Sequence, residues 1–211
     1  MARATKGWAT REKLDRSDSA TRAGLLEAAR AEFEQRGYAR TTIAGITERA
    51  EVGRATFYVY FASKEDAFAV LAADVRDRFV RSQDLTGVDA DDPRAVAAAT
   101  TAAYLDAYAE NLALITVLEH QAITDPDMYA LWEEIHDRPR ERSARYVERL
   151  VRRGLAAPAA TPEAVATAVG GMIASFAPRV VNDPTTRDRA VSDLTEMFLR
   201  LLGAPDRATK A

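Results

Sequence analysis

Between Thr41 and Asp66 the chain reads TTIAGITERAEVGRATFYVYFASKED. Two short segments with helical apolar spacing are separated there by a tight junction at Glu51–Gly53. Ile43, Ile46 and Ala50 form the inward row of the first segment, and Phe57 and Phe61, four residues apart, form that of the second. Both need a scaffold, and the preceding stretch from Ser19 to Arg36 offers one. Leu26, Ala29 and Phe33 recur there at helical spacing, with Leu25 and Ala28 alongside, and Gly37 stands where a left-handed residue ends a helix. Two helices joined by a three- or four-residue turn, the second short and braced by an earlier helix, make a helix-turn-helix unit.

The remaining punctuation is also helical. Thr41 or Thr42 caps the second helix. Ser63 opens a fourth, with Asp66 as capping-box partner and an apolar row of Phe68, Leu71, Val75 and Phe79 running to about Arg81. After the polar loop SQDLTGVDADDPR, Pro93 suits a first helical turn, and helices are expected at 93–110, 111–123, 126–153, 161–180 and 185–202. LALITVL is apolar all round, which predicts a central helix. Pro139 should kink or split the 126–153 helix. Strand-like alternation is nearly absent. The expected fold is all-α: an N-terminal three-helix helix-turn-helix domain plus a larger C-terminal helical domain. The expected boundaries are a disordered basic tail over 1–18, the helix-turn-helix domain over 19–63 and the helical body over 64–211.

Composition narrows the function. The net charge of −3 hides an asymmetry: residues 1–64 carry 12 Lys/Arg against 8 Asp/Glu, and the rest carry 17 against 24. A basic head on an acidic body fits a chain that meets a polyanion at one end. The 211 residues include no cysteine, which excludes disulfides and thiolate metal sites. No apolar run is expected to reach the roughly 20 residues a membrane span needs, and the N-terminus lacks a signal-peptide core, so a cytoplasmic address is expected.

Duplex DNA is the polyanion that suits the motif, because a helix fits the major groove, about 12 Å wide. On the second helix of the unit, Arg54 with Tyr58 and Thr56 with Tyr60 form two rows flanking the inward phenylalanines. Arginine bonds guanine edges, threonine bonds bases or touches a thymine methyl, and tyrosine hydroxyls reach phosphates. Half-buried packing with wet hydroxyls is the competing reading of the tyrosines. Lys64, in a first helical turn where the dipole disfavours a cation, makes sense if a phosphate docks there too. In the tail, Arg3, Lys6, Arg11, Lys13 and Arg16 would lie along the minor groove or backbone, or would merely solubilise.

Across Thr21–Leu71 the chain resembles the tetracycline-repressor (TetR) family of bacterial regulators. RAGLLEAARAEFEQRGY is similar to that family's first helix, TTIAGITERAEV to its second, and GRATFYVYFASKEDAF to its recognition helix and the start of the fourth. The resemblance implies phosphate contacts at Thr42, Tyr58, Tyr60 and Lys64, and base-facing positions at Arg54, Ala55 and Thr56, with Gly53 just before them. Three departures stand out. Glu51 occupies a turn position where the family has glycine, Gly53 one where a serine-like cap is common, and Tyr60 one often held by histidine. Gly45, inside the second helix, should cost about 1 kcal/mol relative to alanine.

The resemblance further implies a homodimer joined through its C-terminal helices, a palindromic operator and a small-molecule effector. Val165, Val169, Met172, Ile173, Phe176, Leu194, Phe198 and Leu201 are the expected dimer residues; internal core is the competing reading. Tyr104, Tyr108, His120, Trp132, His136 and Met172 are the expected effector-pocket residues, with His120 or Glu119 as a buried polar anchor. The expected function is a sequence-specific transcriptional repressor released by its effector. An activator and an effector-independent or architectural DNA-binding protein are the alternatives. No cofactor or metal is expected. With only His120 and His136 available and no phosphate loop, zinc motif or nucleophile elbow, catalysis is not expected.

Overall fold

The computed structural model describes residues 20–203, and the basic tail lies outside them. The described residues form eight α-helices, one short 3-10 turn and no strand. In chain order these are α1 (Ala20–Arg36), α2 (Ile43–Arg49), α3 (Arg54–Tyr60), α4 (Lys64–Ser82), α5 (Pro93–Ala122), α6 (Pro126–Arg152), α7 (Pro162–Asn182) and α8 (Arg187–Leu202). They fall into two compact units. Among the described residues, one holds 20–73 together with Ala113–Leu131; the other holds Asp74–Leu112 and 132–203.

In the first unit, α1 packs on α2 and α2 on α3. Leu25, Ala28, Ala29 and Phe33 of α1, Ile46 of α2, Phe57 and Phe61 at α3, and Ala67 and Phe68 of α4 are buried. The inward row of α1 is thus led by Leu25, with Leu26 only half-buried. Burying a phenylalanine or leucine side chain contributes on the order of 2 kcal/mol, far more than two-turn helices supply by themselves. Local caps then fix where each begins. The Gly45 amide donates to Thr42 Oγ1 at 3.1 Å, so Thr42 is the cap, while Thr41 turns its hydroxyl back onto the Gly37 carbonyl at 2.9 Å. At α4 the Asp66 amide donates to Ser63 Oγ at 3.2 Å, and the Asp66 carboxylate reaches back past the cap to the Ala62 amide at 2.9 Å.

In the second unit, α7 packs against α8. Thr161 caps α7 by accepting from the Ala164 amide at 3.2 Å, and Pro162 starts the helix. At the other end, Gly203 closes α8 in a left-handed conformation (φ 58°). A β-carbon on Gly203 would lie 2.3 Å from the Ala157 carbonyl oxygen, and the Ala157 amide donates to the Leu202 carbonyl at 3.0 Å.

Three expectations are corrected, and that for Pro139 is narrowed. The helices expected at 93–110 and 111–123 are one, α5; Asn111 is buried and returns its amide to the Ala107 carbonyl at 2.7 Å, so the polar residue bonds along the helix instead of ending it. LALITVL is not buried all round: Leu114, Ile115 and Leu118 are buried, while Ala113 and Thr116 are exposed. Pro139 does not split α6, which runs unbroken through it, and the Pro139 carbonyl accepts from Gln83 Nε2 at 3.0 Å. By length and composition, α7 is apolar enough to cross a bilayer. Its Val165, Val169, Ile173 and Val180 are nevertheless buried within the chain.

Candidate nucleic-acid interface

The face that α3 leaves uncovered is built by what the rest of the helix must do. Phe57 is wholly buried, Phe61 nearly so, and their rings lie 5.4 Å apart. The Arg22 guanidinium sits 5.6 Å over the Phe61 ring. With that row fixed inward, helical geometry turns Gly53, Arg54, Ala55, Tyr58 and Val59 outward, and all five are exposed. Thr56 and Tyr60 are half-buried at the edges. Tyr58 at 54% exposure and Val59 at 50% are unusually open for such side chains. Arg54 has no ion-pair partner among the described residues, so its fork of donors is available to a ligand. Val59 is the face residue that sequence reasoning missed. Its spacing from Ala55 (i, i+4) was the signal, masked because an isolated valine reads as core.

The turn before α3 holds its shape by a complete set of backbone bonds. The Val52 amide donates to the Thr47 carbonyl at 3.0 Å and the Glu51 amide to the Glu48 carbonyl at 3.1 Å, the Schellman pattern, with Glu51 at the left-handed position (φ 55°). Gly53, at the N-cap of α3, offers no side-chain acceptor, as expected. Thr42 spends its oxygen as an acceptor and keeps its hydroxyl proton for an outside acceptor.

A buried charge group stiffens the same scaffold. Glu32 of α1 is only 2% exposed; its Oε1 accepts from Arg49 Nε of α2 at 3.0 Å, and its Oε2 lies 3.1 Å from Arg36 Nε. Arg49 also donates to Gln35 Oε1 at 2.6 Å. Gly45 is what lets α2 approach: a β-carbon there would stand 2.8 Å from Glu32 Oε2.

Tyr38, just past α1, ties the start of α4 to this scaffold. Its ring stacks on Phe33 at 5.6 Å and meets Phe68 edge-on at 5.1 Å, and its hydroxyl donates to Glu65 Oε1 at 3.1 Å. Burial first, then the Glu65 carboxylate, push the phenol well above its ordinary range. Lys64 Nζ donates to the Tyr38 carbonyl.

Residues 25–71, which include α2, α3 and the Tyr38–Lys64 junction, match the family model described as bacterial regulatory proteins, tetR family. The N-terminal domain is a TetR-family domain. A domain of this kind supports a role in DNA-binding transcription regulation. The likeness of fold extends along the chain. A tetR-family regulatory protein from Rhodococcus RHA1 is 21% identical, with a TM-score of 0.73 over 89% of this chain and 100% of its own. A TetR-family regulator from Rhodococcus sp. is 15% identical, with a TM-score of 0.75 over 87% and 100%. The fatty acid degradation regulator FadR from Bacillus halodurans is 16% identical, with a TM-score of 0.72 over 89% and 99%. No curated protein matches the sequence.

Outside the TetR-family domain, the residues expected to line an effector pocket separate into two groups. Tyr104, Tyr108, Trp132 and His136 belong to an aromatic cluster with Phe79. The Phe79 ring lies 4.8 Å from Tyr104, 5.6 Å from Tyr108 and 6.2 Å from His136, and the Trp132 and His136 rings are 4.6 Å apart. His136 Nδ1 is 2.8 Å from the Trp132 carbonyl. Met172 is half-buried on α7. His120 is exposed, as is Glu119, so neither is the buried polar anchor expected of them. A cavity of about 530 Å³ opens elsewhere, between the α4–α5 loop, α5, α6 and α8, and none of the six lines it.

Of the residues expected at a dimer interface, Val165, Val169, Ile173, Leu194 and Phe198 are buried within the chain itself. Their spacing reported the packing of α7 and α8 as one amphipathic pair, which sequence periodicity cannot tell from a seam with a second copy. Met172, Phe176 and Leu201 are half-buried and remain available.

Proposed function

We propose that the protein is a homodimeric repressor that inserts α3 into successive major grooves of a palindromic operator. The observation that carries this reading is the outward face of α3, where Arg54, Ala55, Tyr58 and Val59 stand exposed over a fully buried Phe57. Arg54 reads a guanine edge; Ala55, Thr56 and Val59 meet bases by apolar contact or hydroxyl bonding. Thr42, Tyr58, Tyr60 and Lys64 hold phosphate oxygens and set the register. Two-fold symmetry follows from reading a palindrome, with half-site centres about 34–36 Å apart or a multiple of that.

The outward side of α7 supports the dimer. Ala168, Gly171 and Ser175 are exposed on it, beside half-buried Met172 and Phe176. A β-carbon on Gly170 or Gly171 would meet nothing within 4 Å in the chain, so the chain's own packing does not call for glycine there. A second helix lying close against that face does.

Selection of bound fragments from random DNA tests the proposal. One enriched inverted repeat is the expected result, and equal, salt-dependent affinity for all sequences would favour an architectural role instead. Release of the selected site by a small molecule, and the direction of the transcriptional effect, are then measured on that site.

A further inference from the structure

The cavity in the second unit has a lining at odds with its surroundings. Residues 65–211 carry an excess of acid, 24 Asp/Glu against 17 Lys/Arg. The cavity lining nevertheless holds Arg142, Arg145, Arg149 and Arg152 and no carboxylate. These four lie at helical spacing along one side of α6. The opposite lining is apolar, with Leu85, Val88, Ala90, Val96 and Phe198. A volume near 530 Å³ lies within the range of small-molecule sites.

Charge accounting within the lining singles out one residue. Arg142 pairs with Asp84 at 2.8 Å and also donates to the Gln83 carbonyl at 2.8 Å. Arg145 pairs with Glu141 at 3.4 Å and Arg152 with Glu148 at 3.6 Å. Arg149 has no carboxylate partner among the described residues; its guanidinium rests 5.1 Å over the Tyr146 ring. Two lining residues also carry buried polar atoms without a hydrogen-bond partner, Tyr146 Oη and Gln83 Oε1. Gln83 is 9% exposed, and its Nε2 is already committed to the Pro139 carbonyl and Ser143 Oγ. A buried polar atom left without a partner is costly, a standing incentive for a ligand that satisfies it. Asp89 and Asp92 lie near Tyr146, but each uses a carboxylate oxygen to accept backbone amides, from Asp91 and from Arg94 and Ala95 respectively.

We infer that this cavity binds a monoanionic amphipathic acid, its carboxylate on Arg149 and its hydrocarbon part against Leu85, Val88, Val96 and Phe198. One uncompensated guanidinium matches one negative charge, and an arginine fork holds a carboxylate with two parallel bonds. The inference deepens the effector reading by naming the class of ligand and the place it binds.

Calorimetric titration of the full chain with octanoate, octan-1-ol and octylammonium tests it without DNA. The selectivity ratio is the readout, because an eight-carbon chain fills only part of the cavity. Octanoate is expected to bind one per chain and about tenfold or more tighter than octan-1-ol, with octylammonium weakest. Arg149→Gln, an exposed substitution checked for folding by its thermal melt, is expected to remove most of that preference while leaving octan-1-ol binding unchanged. No octanoate binding, equal binding of acid and alcohol, an Arg149→Gln variant that keeps the preference, or tighter binding of octyl phosphate each overturns the assignment. If octanoate binds as expected but leaves the operator complex intact, the site stands and the effector reading falls.

Discussion

The ammonium of Lys64 lies 4.3 Å above the centre of the Tyr38 ring and donates a 3.0 Å hydrogen bond to the Tyr38 carbonyl. A cation in the first turn of α4 runs against the helix dipole, and this pairing supplies its compensation from inside the domain. Lys64 is therefore a structural strap as well as a proposed phosphate ligand. Lys64→Ala should cost about 1 kcal/mol from the lost charged hydrogen bond and cation–π contact at a partly exposed site. In a chain of this size that lowers the melting temperature by about 2–4 °C, measurable by thermal denaturation.

Glu65 makes the same junction dependent on pH. Its own backbone amide, then the Ser63 and Tyr38 hydroxyls and the Lys64 charge, hold the carboxyl below its ordinary value of 4.5. A carboxyl lowered by folding contributes stability above its unfolded pKa, and that contribution is lost as pH falls through the folded value. Glu65→Gln should thus be less stable than the parent at pH 7, with the two melting curves converging in strong acid. A gap that stayed constant from pH 7 to pH 2 would contradict the assignment.

Gly45→Ala separates helix propensity from packing. Propensity alone favours alanine by about 1 kcal/mol. The new β-carbon would stand 2.8 Å from Glu32 Oε2, on a carboxylate held by Arg36 and Arg49. The clash should win, with a net loss of about 1–2 kcal/mol. In a Glu32→Ala background the same substitution should become neutral or stabilising. A double-mutant cycle in denaturant reads that change of sign.

Glu51 holds a backbone conformation that costs a non-glycine residue about 1 kcal/mol or more. Glu51→Gly should recover about that much, seen as a higher denaturation midpoint. It also removes a negative charge from the turn leading into α3, so affinity for any DNA should rise, most clearly at low salt.

Arg54→Ala should weaken binding to the selected operator by about 1–3 kcal/mol and relax preference at one base position of each half-site. Tyr58→Phe keeps the ring and loses the hydroxyl. Its effect should be smaller and uniform across sequences. Fluorescence anisotropy on matched and mismatched sites distinguishes the two patterns.

How much of this was legible beforehand depended on the range of the interaction. Ser63 and Gly37 mark helix ends through contacts within a few residues and are plain in the sequence, which also narrows the α2 cap to Thr41 or Thr42. The Phe57 and Phe61 row fixed which side of α3 faces outward. Non-local partners were not legible. Glu32 reads as an ordinary surface glutamate until Arg49, 17 residues on, closes over it. Lys64 looked like an anion-seeking cation because its partner, Tyr38, lies 26 residues away. The helices expected at 93–110 and 111–123 are one, and at that boundary Asn111 bonds along its own helix, a compensation that the sequence does not display. The arginines of α6 drew no expectation from the sequence, since the apolar wall opposite them comes from three distant segments.

The seat of Gly203 against the Ala157 carbonyl has a practical side. The last turn of α8 is clasped at a fixed spot, so truncating the chain ahead of Leu202 forfeits the bond its carbonyl accepts and should open that end of the helix pair. Affinity handles and fluorescent partners are better appended downstream of the clasp, with the glycine itself left untouched.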